Sequence, residues 1–281
     1  MLFSGSVFAQ EVSEEDIIGV YKTKSNDPMG GSTIVFLPDH TYIIAYFGGV
    51  QKGTWELKSG KLKVTKTVEP QFVLYGRKTI SLGEKIQVKV STRSENLVLV
   101  GFEAKNTTKL KRLFNPNANC FLRPYLITQQ KPVNQLNLAL LEAYPNDNSK
   151  EGEKRARVFQ FTNTESYNDL LVVNLPSGYT SPSTAQIRYK DGLLFENSFS
   201  EGLKKRPLES LSGEDLKFVT GYSDRNLLPQ KLQYGDEFFP YSENPTSEEL
   251  KPYLRIKPIE ISEKPFILQS GSFLNATCEK N

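Results

Sequence analysis

Between Gly19 and Leu113 the chain runs as short segments in which apolar and polar residues alternate, each closed by a turn bearing Gly, Asn or Ser. A period of two places successive side chains on opposite faces, which is the signature of a strand rather than a helix. Eight or nine such segments in close succession, with no convincing helix between them, predict an antiparallel meander. A meander of this length closes into a small barrel or curls into a tight sandwich.

The alternation also assigns faces. Thr33–Leu37 and Thr41–Tyr46 flank a tight Pro38-Asp39-His40 turn, and Lys52–Leu57 is joined to Lys61–Lys66 through Ser59-Gly60. Gln71–Arg77, Lys85–Ser91, Asn96–Phe102 and Lys109–Phe114 continue the series. Tyr42, Ile44, Tyr46, Trp55, Leu57, Leu62, Val64 and Phe72 fall on the inward side, and the positions between them are mostly Lys, Thr, Glu and Gln. One face is expected buried and one wet. Residues 10–116 hold sixteen Lys or Arg against eleven Asp or Glu. Because Lys61, Lys63, Lys85 and Lys89 alternate with apolar residues, this excess reads as a solvated barrel exterior rather than an anion-binding face.

Before the first strand, Ser13 stands where a helix N-cap is preferred and Asp16 where a capping box wants an acid, so one helical turn is expected there. That turn feeds Gly19-x-Tyr21, followed by Phe36-x-x-Asp39-x-Thr41-Tyr42 and Gly53-x-Trp55. The combination resembles the lipocalin-like domains of secreted bacterial proteins over about residues 13–114, with Tyr21 where lipocalins carry Trp. The resemblance implies a calycin-type up-and-down barrel, often with an apolar ligand cavity, and it brings no catalytic residues with it. Tyr42, Tyr46, Trp55 and Phe72 would then line the interior. A lumen of eight strands can be just filled by side chains or hold one small ligand.

Beyond Phe114, Asn115–Asn119 is a polar connector containing Pro116. The expected organisation is therefore a signal remnant at 1–9, a barrel at 10–114, a linker at 115–118 and a second β-rich domain, a sandwich, at 119–281. In that domain Phe121–Thr128, Gln135–Ala143, Arg155–Asn163 and Asp169–Leu175 read as strands. Lys190-Asp191-Gly192 makes a hairpin turn between Thr184–Tyr189 and Leu193–Asn197. A short helix capped by Ser212 is expected within Pro207–Val219. From Phe199 to Glu249 closely spaced prolines leave room for little regular structure, and a segment of that kind is usually functional or packed on a neighbour. Its Tyr222, Tyr234, Phe239 and Tyr241 suggest a polar-aromatic surface for a glycan or protein. Tyr253–Ile261 and Pro265–Leu274 return to strand character.

Met1–Ala9 is apolar and small, and Val7-Phe8-Ala9 resembles a secretory cleavage site without the usual basic start. Later runs fall short of the ~18 apolar residues of a membrane helix. The expectation is a protein of the periplasm or the extracellular space. The two cysteines, Cys120 and Cys278, can pair in such a compartment and would clip the last segment to the start of the second domain.

Function is narrowed mainly by exclusion. A net charge of +3 argues against nucleic acid. His40, the single histidine, sits in a turn without the convergent partners of a catalytic histidine. One His and two Cys leave too few of the usual zinc ligands, Asp147–Glu153 lacks the spacing of a calcium loop, and no cofactor motif is present. The reading that remains is an exported binding or interaction module. A small apolar molecule in the barrel, a glycan or an envelope protein would be its partner. The alternative is an extracytoplasmic polysaccharide hydrolase, which needs two carboxyls about 5–10 Å apart. Glu142, Glu165, Asp169 and Glu196 are its candidate acids.

Overall fold

The computed structural model describes residues 12–23, 31–58, 60–92, 97–102, 108–116, 120–121, 123–130, 132–141, 152–195, 202–224 and 226–277. Helix α1 (Glu14–Ile17) leads into β1 (Gly19–Lys22), β2 (Thr33–Phe36), β3 (Thr41–Tyr46), β4 (Gly49–Lys58) and β5 (Lys61–Lys66). There follow β6 (Phe72–Arg77), β7 (Ile86–Ser91), β8 (Val98–Gly101), β9 (Lys109–Phe114), β10 (Tyr125–Gln129) and β11 (Gln135–Leu140). Next are β12 (Gly152–Thr162), β13 (Asp169–Asn174), α2 (Ser177–Thr180), β14 (Thr184–Lys190), β15 (Leu193–Phe195) and β16 (Leu203–Lys204). The chain ends with α3 (Gly213–Asp224), β17 (Lys231–Leu232), β18 (Tyr253–Ile256) and β19 (Pro258–Leu274). The protein is mostly β.

These elements form two compact units that interleave along the chain. One takes residues 1–68 and 181–227, the other 69–180 and 228–281. The break expected at 115–118 does not divide them. Asn115 there is tied down instead: its side chain exchanges hydrogen bonds of 2.8 and 3.0 Å with the backbone of Ala276.

In the first unit eight strands lie in the order β1-β2-β3-β4-β5-β14-β15-β16, each antiparallel to the next. Val20 of β1 exchanges two 2.9 Å backbone hydrogen bonds with Arg206, just past β16, so the sheet curls onto itself into a barrel-like form. Gly19 permits this approach, because a Cβ there would lie 2.7 Å from the Arg206 carbonyl oxygen. The meander expected from the sequence is thus correct through β5. The remaining three strands come from residues 184–204, after the second unit's first segment has intervened.

The inward face carries Ile17, Tyr21, Phe36, Tyr42, Trp55 and Leu62, all buried in one cluster. Phe36 meets Tyr21 and Trp55 edge-on, with ring centroids 5.7 and 6.0 Å apart, a geometry that favours the aromatic quadrupoles. The Trp55 indole N–H donates to the Leu37 carbonyl at 3.1 Å, and the Tyr21 hydroxyl donates to the Ile17 carbonyl at 2.9 Å. Each polar tip is therefore satisfied inside an apolar core. Opposite Tyr42, Gly53 keeps the barrel tight: a Cβ would stand 2.5 Å from the Tyr42 ring and 2.1 Å from the Thr65 carbonyl.

The outer face of the first strands is not wet. Val20, Val35 and Ile43, on the opposite pleat, are covered by Val219 of α3 with Leu208, Leu211 and Tyr222. Ser212 caps α3 through the Asp215 N–H at 3.1 Å, as its sequence position suggests. At the other end the Lys52 ammonium donates to the Tyr222 and Ser223 carbonyls at 3.2 and 3.0 Å. A cation there satisfies carbonyls left open at a helix C-terminus.

The second unit combines a six-stranded sheet, ordered β10-β7-β13-β6-β18-β17, with a closed five-stranded barrel, β11-β12-β19-β9-β8. Strands β6 and β13 are buried on both faces along their whole length. One face, through Phe72, Leu74, Val88 and Val172, packs on Leu136, Leu138, Phe159 and Phe161 of the barrel. The other, through Val73, Tyr75, Leu171 and Val173, is covered by Leu228, Leu232 and Tyr253, with Tyr179, Phe238 and Phe239 against them.

Candidate ligand cleft on the six-stranded sheet

The second face of this sheet holds the chemistry. Register places Asp169 of β13 opposite Arg77 of β6 and Leu171 opposite Lys89 of β7, with Asp169 and Leu171 on one pleat. The Asp169 carboxylate, 1% exposed, accepts from Arg77 Nε at 2.8 Å, Lys89 Nζ at 2.6 Å and the Tyr253 hydroxyl at 2.8 Å. Arg77 also donates to the carbonyls of Glu249 and Lys251 at 2.8 and 2.6 Å, and its guanidinium lies 4.1 Å from the centre of the Tyr253 ring. Lys89 donates to the Tyr253 hydroxyl at 3.0 Å as well. Burial lowers the Lys89 pKa even though Asp169 pulls the other way.

Tyrosines around the cluster respond in the opposite sense. Burial, together with the Asp169 carboxylate, raises the Tyr253 pKa, and burial pushes Tyr75 up to about 12. An unfolded tyrosine titrates near ~10. The folded pKa lies above the unfolded one, so the associated stability is complete below about 10 and is lost as pH rises through about 12. We therefore expect alkaline unfolding to coincide with tyrosinate absorbance. Circular dichroism unchanged while Tyr75 ionises would contradict this assignment.

Beside this cluster lies a cleft of about 410 Å³. Lys89 and Leu171 line it from the sheet, Arg123 and Tyr125 from the start of β10, and Phe239 and Tyr241 from the irregular segment before β18. That segment is anchored. The Phe239 ring meets Tyr234 and Tyr253, each with centroids 5.8 Å apart, Phe238 packs on Tyr179, and the Tyr179 hydroxyl donates to Glu237 at 2.7 Å. A wider groove of about 640 Å³ passes Lys78, Asn163 and Asn168. Two of its amides are committed, Asn163 to the backbone of Val133 and Tyr167 and Asn168 to that of Thr79 and Gly83.

The residues singled out in the sequence are dispersed. Tyr42 and Trp55 do point into the first barrel, but inside a packed cluster. Tyr46 does not join them: it is 50% exposed near the β3–β4 turn, where the hairpin runs past the apolar interior. Phe72 belongs to the second unit, edge-on to Phe159 at 5.4 Å, because β6 pairs with β13 and β18 rather than extending the first meander. Tyr222 lies on the first unit's helix, packed with Val219 against the outer face of the first strands, while Tyr234, Phe239 and Tyr241 belong to the second unit. Phe239 and Tyr241 share the cleft, while Tyr234, 53% exposed, reaches it only through Phe239. Lys89 is no part of a solvated exterior, since Asp169 draws it into the sheet.

Of the candidate acids, Glu165 is exposed and Asp169 is saturated by donors. Glu142 and Glu196 lie outside the described residues, as do Met1–Ala9, Cys278 and most of Asp147–Glu153. Lys89, Arg123 and Glu237 were not anticipated as site residues. A legible signal existed: Asp169 and Arg77 each sit at the end of an apolar run that should otherwise exclude charge. Among the described residues no helix is long and apolar enough to cross a membrane, and no group of three His, Cys, Asp or Glu could hold a metal ion. Together the fold and the cleft define a two-unit, mostly β protein with an aromatic, cation-bearing pocket. No protein-family model, no curated protein and no solved structure matches the chain.

Proposed function

We propose that the protein is an exported binding module whose ligand site is the aromatic cleft of the second unit, and that its ligand is an oligosaccharide. The observation that carries this reading is the cleft itself: Phe239 and the 83% exposed Tyr241 stand beside Lys89 and Arg123, with the buried Tyr125 beneath. Flat rings with polar neighbours suit a ligand that has apolar faces and hydroxyl edges. The packed interior around Trp55 and Tyr42 gives no support to a small apolar ligand in the first barrel, although the eight-stranded antiparallel order agrees with a calycin-like architecture. A saturated Asp169 favours binding over hydrolysis.

Export rests on the leader-like Met1–Ala9, and the same compartment favours a Cys120–Cys278 bond, in keeping with the absence of a free cysteine among the described residues. The test is a glycan array followed by calorimetry. Tyr241→Ala removes an exposed ring without opening the core and is expected to weaken the best ligand about tenfold, within the range of a binding hot spot. Binding insensitive to Tyr241→Ala would place the site elsewhere.

A further inference from the structure

We infer that the cleft selects an anionic sugar, with the ligand's negative group over Lys89 and Arg123 and its rings against Tyr241 and Phe239. This rests on the oligosaccharide-binding reading above and adds the charge of the ligand. Within the buried cluster Arg77 and Lys89 share the Asp169 carboxylate, and the Glu249 carboxylate acts on both from outside it. Lys89 is the cluster's outlet to the cleft: its side chain is 18% exposed, against 6% for Arg77 and 2% for Asp169.

At the mouth, Arg123 adds a second cation. Its guanidinium lies 5.8 Å from the centre of the Tyr125 ring and has no carboxylate partner among the described residues. Glu237 is the acid that lines the same cleft, and it already accepts the Tyr179 hydroxyl. Arg77, Lys89 and Arg123 face Asp169, Glu249 and Glu237, so the surroundings balance in charge. It is the placement of Lys89 and Arg123 on the cleft, not an excess of charge, that would receive an anion. A carboxylate or sulfate placed between an ammonium and a guanidinium gains charge-assisted hydrogen bonds. Because Asp169 and Tyr253 hold Lys89 in place, little of its freedom is lost on binding.

Calorimetry of the whole chain with uronate, sulfated and neutral oligosaccharides of equal length tests this, with Arg123→Gln as the variant. Arg123 is exposed, so the variant folds as the parent does. The anionic ligands are expected to bind at least about tenfold tighter than the neutral one, less so as salt screens the cations. Arg123→Gln should move that preference toward unity. Uronate tighter than sulfated identifies the anion as a carboxylate, and the reverse as a sulfate. Neutral and anionic ligands binding equally, with Arg123→Gln leaving the ratio unchanged, would overturn the charge selection and leave the cleft as a glycan site. No binding by any of the three would remove the glycan reading itself.

Discussion

Asp169→Asn is expected to destabilise the second unit by about 3–5 kcal/mol, the cost of stripping a buried ion cluster of one partner. The amide preserves the volume, so the loss comes from charge: Arg77 and Lys89 remain inside the sheet without the carboxylate that holds both. Replacing the pair is a different matter from breaking it. Adding Lys89→Met to Asp169→Asn removes one of the two stranded cations and should recover part of the loss, a coupling in the range of about 0.5–3 kcal/mol between neighbours. Urea denaturation followed by circular dichroism measures it, with the single variant's midpoint falling by about 1–2 M. A single variant within about 1 kcal/mol of the parent would mean that water reaches the cluster and that Asp169 does not organise it.

Trp55→Ala is expected to cost the first unit about 3–5 kcal/mol, as for other large aromatic side chains deleted from packed cores. The indole fills the space between Phe36 and His40, whose ring stacks on it at 4.8 Å, and its N–H satisfies the Leu37 carbonyl. Truncation therefore leaves a cavity and removes one of the two hydrogen bonds to the Leu37 carbonyl, the other coming from the His40 N–H at 3.2 Å. Trp55 is the single tryptophan, so thermal melts by circular dichroism must take the place of fluorescence. A cost below about 1 kcal/mol would show that the interior is loosely filled and would reopen the barrel as a ligand cavity.

Local structure was largely legible. Thr41–Tyr46, Lys61–Lys66 and Lys109–Phe114 are strands with the bounds that alternation suggests, and Ser13 and Ser212 begin helices where capping chemistry places them. The errors came at the next level. Phe72–Tyr75 and Leu170–Val173 are continuous apolar runs, which mark strands buried on both faces, whereas alternation alone makes Phe72 one more rung of the meander. The same runs hid the site: Asp169 and Arg77 looked like strand-end charges until their strands were paired.

The amino-acid sequence by itself determined the mostly β class, most strand positions and the inward placing of Tyr42, Trp55, Leu62 and Val64. These are properties of residues near one another in the chain, set by side-chain period, turn stereochemistry and composition. Tertiary structure alone decided that β5 takes β14 as its neighbour, that two units interleave, and that Lys89, Arg123, Phe239 and Tyr241 line one cleft. The physical reason lies in backbone hydrogen bonding. Every strand edge offers the same donors and acceptors, so the partner is chosen by which apolar faces can be buried together, and that depends on the whole chain at once.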